Sequence, residues 1–100
     1  MQHDLIIVIV NRGHTSEVMD AARAKGAKGG TIVNARGTAG EVEKFFNISL
    51  QEEKEVVLMV VNHDYRHAIM EEISLKAGIN TPGQGVMFSL PVDEATGLVE

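Results

Sequence analysis

The chain opens on an almost unbroken aliphatic run. Residues 4–11, DLIIVIVN, are rich in Ile and Val, the composition of a central strand with neighbours on both sides and at least one covered face. RGH then turns, and TSEVMDAARAKGA (15–27) reads as a helix. Thr15 or Ser16 can cap it, Glu17 and Asp20 suit its positive end, Arg23 and Lys25 its last turn, and Gly26 its stop. Val18 and Ala22 share one helix face, with Met19 and Ala21 at its margins. A second strand, GGTIVNAR (29–36), is held by β-branched Thr31, Ile32 and Val33. A long connection covers residues 37–52, where Phe46, Ile48 and Leu50 alternate and suggest a short extended piece.

KEVVLMVVN (54–62) is the third strand. Asp64 can cap a second helix running to about Ala77, with Tyr65, Ile69 and Ile73 on one stripe and Gly78 as terminator. After the turn INTPGQG comes the fourth strand, VMFSLPV (86–92), whose Pro91 places it at a sheet edge. Strand, helix, strand, strand, helix, strand is the βαββαβ order. It predicts an α+β, ferredoxin-like sandwich in one domain over residues 1–100: a four-stranded antiparallel sheet with both helices on one face. The other face would carry the alternate apolar residues of LIIVIV and VVLMVV. An uncovered apolar face calls for a partner. The simplest one is a second copy, giving a homo-oligomer such as a cyclic trimer packed sheet against sheet.

Composition narrows the function. There is no cysteine, hence no disulfide or thiol chemistry. The aliphatic runs are too short to span a bilayer, and only MQHD precedes the first, so no secretory signal is read and a cytoplasmic location without membrane insertion is expected. A net charge of −5 argues against nucleic acid as a partner. That charge is uneven: residues 12–36 hold five basic and two acidic residues, residues 37–100 four basic and eleven acidic. The basic patch suits a small anion, or it is an ordinary solvated surface.

Candidate chemistry is sparse. The serines lie in no nucleophile context and the paired acids are sequence neighbours that point apart, so no enzyme is predicted. His63 and His67 are four apart, a spacing able to present two imidazoles for a metal, but His63 precedes the helix, no H-E-x-x-H completes the motif, and exposed polar residues at a helix start are the better explanation. Gly29-Gly30-Thr31 and Gly83-Gln84-Gly85 are glycine turns beside strands. Successive N–H groups in such turns can converge on an anion and admit a ligand close to the backbone, with Lys28 and Arg36 as countercharge; tight turning alone is the other explanation.

GAKGGTIVNARG after the first helix and AGINTPGQGVMFSLPVDEATGL at the end resemble the PII-like branch of the PII nitrogen-regulatory superfamily, over nearly the whole chain. The resemblance implies a ferredoxin-like homotrimer with inter-subunit clefts for adenine nucleotides (ATP, ADP or AMP as effector, with no cofactor required). It also implies a mobile loop, here about 37–52, that docks on a regulated protein or membrane transporter. It places Gly29, Gly30 and Thr31 at the adenine end of the cleft. Arg36, Gly37, Gly83, Gln84 and Gly85 fall near the phosphates, and Phe45 and Phe46 become loop anchors for a partner. Three departures stand out. Val86 occupies the place of the family's phosphate-facing lysine and Gln84 that of an acid, while the tail after residue 92 is acidic and lacks arginine. The loop also lacks the tyrosine that PII proteins modify. A metal-binding trimer resembling divalent-cation tolerance proteins, with His63 and His67 as ligands, is the alternative.

Overall fold

The computed structural model describes residues 2–38 and 52–98. The strands are β1 (His3–Asn11), β2 (Thr31–Arg36), β3 (Glu53–Asn62) and β4 (Val86–Pro91), and the helices α1 (Thr15–Ala24) and α2 (Arg66–Ala77). They form one four-stranded antiparallel sheet in the order β2-β3-β1-β4. This is the predicted α+β arrangement. The aliphatic run of β1 is central because it pairs on both sides, with β3 and with β4. Pro91 sits at the end of an edge strand, where its missing N–H costs no ladder bond.

Strand periodicity sorts the two faces. Ile6, Val8 and Val10 of β1 and Val57, Met59 and Val61 of β3 point to one side and are buried with Val18, Ala21 and Ala22 of α1 and Ile69, Ile73 and Ala77 of α2. These residues make one continuous core between sheet and helices. The opposite face carries Leu5, Ile7 and Ile9 in register with Val60, Leu58 and Val56 on one side and with Leu90, Phe88 and Val86 on the other. Val60, Val86, Phe88 and Leu90 are each at least 39% exposed, so no element among the described residues covers this surface.

The helix starts depart from expectation. The N-cap position of α1 is His14 and carries no side-chain capping bond, so neither Thr15 nor Ser16 caps it. The second helix is preceded by a 3-10 turn (His63–Tyr65), and Asn62 rather than Asp64 is the capping side chain, accepting the N–H of Asp64 at 2.8 Å. That extra turn lifts Tyr65 off the buried stripe of Ile69 and Ile73. It is 50% exposed, and its ring lies over Gly26, which adopts a left-handed φ of 117° just past α1.

Candidate functional site

At the end of the sheet where β1 finishes and β4 begins, residues 78–85 fold into a compact turn. Thr81 donates its N–H and its hydroxyl to the Gly78 carbonyl at 3.0 and 2.7 Å, Gln84 N–H donates to Thr81 O at 2.9 Å, and Gly85 N–H donates to Ala77 O at 2.8 Å. Gln84 takes the left-handed backbone (φ 48°). The amides of Gln84 and Gly85 are therefore already bonded inside the chain, and the Gly85 bond ties the turn to the end of α2. A Cβ at Gly85 would overlap the Ala77 carbonyl oxygen, so this glycine is set by the close approach of backbone to backbone. Gly83 is buried against the side chain of His14.

Asn11, only 7% exposed, ties this turn to the sheet. Its N–H donates to Gly83 O at 2.9 Å and its side-chain NH2 to Pro82 O at 3.0 Å, with Gln84 Oε1 at 3.4 Å. Lys54 Nζ, from the strand facing Asn11 in register, donates to Asn11 Oδ1 at 2.6 Å. Around this core lie exposed ion pairs. Arg12 binds Glu53, whose hydrogen bond and charge hold the guanidinium pKa above its ordinary value. Arg36 reaches Glu52 at 3.4 Å. Gly37 N–H donates to Glu52 O at 2.7 Å and closes the base of the long connection.

The predicted residues do not meet within one chain. Arg36 and Gly37 end the edge strand β2, whereas Gly83, Gln84 and Gly85 precede the opposite edge strand β4. Three inter-strand steps separate those edges, about 14 Å at ordinary strand spacing. Gly29, Gly30 and Thr31 stand at the other end of β2, where Thr31 pairs with Leu58, about 16 Å along the strand from Arg36. Gly30 packs tightly, since a Cβ there would press on Met59 and the Leu58 carbonyl, but nothing lies within 4 Å of one at Gly29. Val86 falls on the apolar outer face, in register with Ile9. Phe45 and Phe46, and the extended piece expected around Phe46, Ile48 and Leu50, lie outside the described residues.

The two histidines diverge. His63 Nδ1 lies 2.6 Å from Asp4 Oδ2, whereas His67 is largely exposed and faces Glu71 at 3.6 Å. Among the described residues no group of three or more His, Cys, Asp or Glu is placed to hold a metal ion. Asp4 is a buried carboxylate that also faces Arg66 Nε at 3.1 Å. Sequence reasoning passed over Asp4, Asn11 and Lys54. For Asp4 a signal existed, since it occupies the inward parity of β1 with Ile6, Val8 and Val10, where a polar residue needs a partner. Asn11 and Lys54 lie 43 residues apart, and only strand register joins them.

Residues 3–98 match the family model for Nitrogen regulatory protein P-II. The chain belongs to that family. A search of curated protein sequences finds no match. Among solved structures, a candidate PII-like signalling protein from Thermus thermophilus superimposes with a TM-score of 0.70 at 15% identity, covering 92% of this chain and 87% of that one. Arabidopsis thaliana PII bound to citrate gives 0.67 at 23% identity, with 90% and 74% covered. B. subtilis GlnK gives 0.69 at 13% identity, with 93% and 87% covered. At these identities the likeness speaks for the fold, and P-II membership rests on the family match. No helix among the described residues is long and apolar enough to cross a membrane.

Proposed function

We propose that this P-II family member is a regulator rather than an enzyme. It acts as a homotrimer that binds a small effector, an adenine nucleotide, in clefts between chains and controls a partner protein or transporter through the connection 37–52. Nitrogen regulation, the family's nominal role, is the process in view. The observation that carries this reading is the placement of the predicted residues on opposite edges of one sheet. Gly29, Gly30, Thr31, Arg36 and Gly37 lie on or beside β2, and Gly83, Gln84 and Gly85 precede β4. In a ring of copies the β2 edge of one chain can face the β4 edge of the next, and a site divided over two edges is completed between neighbours. The bare apolar face of nine aliphatic and aromatic residues supports the same assembly, because burying it requires another chain.

In that cleft Gly29 leaves open space beside the backbone, while Lys28 and Arg36, both exposed, supply countercharge. Isothermal titration of the purified chain with ATP, ADP, AMP and cyclic AMP, with light scattering to count chains, tests the reading. A trimer that binds at least one of them in the micromolar range is expected. A monomer that binds none would end it.

A further inference from the structure

Three segments distant in sequence meet at one buried amide. Asn11 uses both ends of its side chain: Oδ1 accepts from Lys54 at 2.6 Å, and Nδ2 donates to Pro82 O at 3.0 Å beside Gln84 Oε1. Its backbone N–H holds Gly83 O. Lys54 stands two residues beyond Glu52, whose carbonyl accepts the Gly37 N–H at 2.7 Å. One side chain thus bridges the glycine turn before β4 and the strand ends that close the long connection, although two strands separate the β2 and β4 edges.

We propose that Asn11 is a coupling residue, making the firmness of the Gly37–Glu52 closure depend on the state of the 78–85 turn, and the reverse. The physical ground is that neither end of the amide can let go freely. Asn11 is buried, so an acceptor or donor that loses its partner is left unpaired away from water. Its bond to Lys54 is charge-assisted, and hydrogen bonds in series through one amide polarise each other. A ligand or substitution that draws Gln84 or the Pro82 carbonyl away loosens the grip on Lys54. Freeing Lys54 leaves Oδ1 unpaired and loosens the turn. The use of this link in signalling rests on the effector reading above. The link itself belongs to the ligand-free chain.

Amide hydrogen exchange on the ligand-free protein tests it, with the Val8 amide reporting global opening. Lys54→Met touches neither Gln84 nor Gly85, yet it should speed exchange at both of their amides and at Gly37 by roughly five-fold or more, the scale of one loosened hydrogen bond. Asn11→Leu should speed the same three amides, and the double variant should exceed Asn11→Leu by less than about two-fold. If Asn11→Leu fails to fold, Lys54→Met alone carries the test, because Lys54 is only partly buried. Unchanged exchange at Gln84 and Gly85 in Lys54→Met, or single effects that simply multiply, would overturn the proposal. Nucleotide titration plays no part in this readout, so a failed effector reading and a failed link remain distinguishable.

Discussion

Replacing Gly85 with alanine and replacing Gly29 with alanine are the same chemical change at two glycines of the predicted site, and the structure assigns them opposite signs. At Gly85 the new methyl would overlap the Ala77 carbonyl oxygen and lie 3.2 Å from both the Ala77 carbonyl carbon and Val10 Cγ1. The oxygen is backbone at the end of α2 and already accepts the Gly85 N–H, so no rotamer change relieves the clash. Helix end and strand start must part, which costs about 1–3 kcal/mol for an overpacked interior. The lost freedom of the unfolded chain offsets about 0.4–1 kcal/mol of that. The net expectation is a loss of about 1–2 kcal/mol, or roughly 4–16 °C in Tm for a domain of this size. A methyl carbon added at Gly29 would have nothing within 4 Å, and the backbone there is not left-handed. Alanine there should be neutral or stabilise by up to about 1 kcal/mol through the unfolded-state term alone. Urea denaturation followed by circular dichroism, at one fixed protein concentration, reads both. Gly85→Ala losing less than about 0.5 kcal/mol, or both variants shifting the same way, would refute the steric assignment. The pair also separates roles: if Gly29 lines the cleft, Gly29→Ala weakens nucleotide binding without weakening the fold.

Three further outcomes follow from the geometry. Leu58 sits in the central row of the bare sheet face, between Thr31 and Ile7, so Leu58→Arg should convert the proposed trimer to monomer in light scattering while circular dichroism stays that of a folded chain; a trimer persisting in the variant would place the interface elsewhere. Asp4→Ala removes a carboxylate bonded to His63 and facing Arg66, and should lower stability by about 2 kcal/mol in urea, the scale of one charge-assisted hydrogen bond; an unchanged midpoint would show the cluster to be idle. Val86→Lys places a cation at the end of the outer face, in register with Ile9, where the resemblance to PII proteins implies a phosphate-facing lysine; in the variant that light scattering finds still trimeric, a charged phosphate contact of about 1.5–3 kcal/mol should tighten triphosphate binding at least ten-fold in calorimetry, and unchanged affinity in an intact trimer would mean that this position does not face the phosphates.

The fold was legible because its signals are local and strong. Aliphatic runs at 5–10 and 56–61 are six residues each and rich in β-branched Ile and Val, which favours strands over helices, and Gly26 and Gly78 stop helices within reach of their expected ends. Helix starts were less legible. Three candidate caps, Thr15, Ser16 and Asp64, are good N-cap residues by type, yet neither α1 nor α2 begins with a side-chain cap, and the one capping bond near them, from Asn62, belongs to the 3-10 turn before α2. Of the candidate site, the glycine turns were visible as places in the sequence. Their separation was only half legible: Pro91 put β4 at an edge, but periodicity along β2 says nothing about its lying at the opposite one. The Asn11–Lys54 contact was hidden for the same reason, being a product of antiparallel register across 43 residues. Glycines carry an inherent ambiguity as well: Gly85 is dictated by a neighbouring carbonyl and Gly29 by nothing among the described residues, a difference that residue type cannot express.

The most direct test of the central claim is a calorimetric titration of the light-scattering-verified oligomer with ATP, ADP and AMP. The expected result is a trimer with micromolar binding of at least one nucleotide and one site per inter-chain cleft, hence one per chain. A trimer that stays silent toward all three would contradict the nucleotide cleft, and a monomer would contradict the assembly on which that cleft depends.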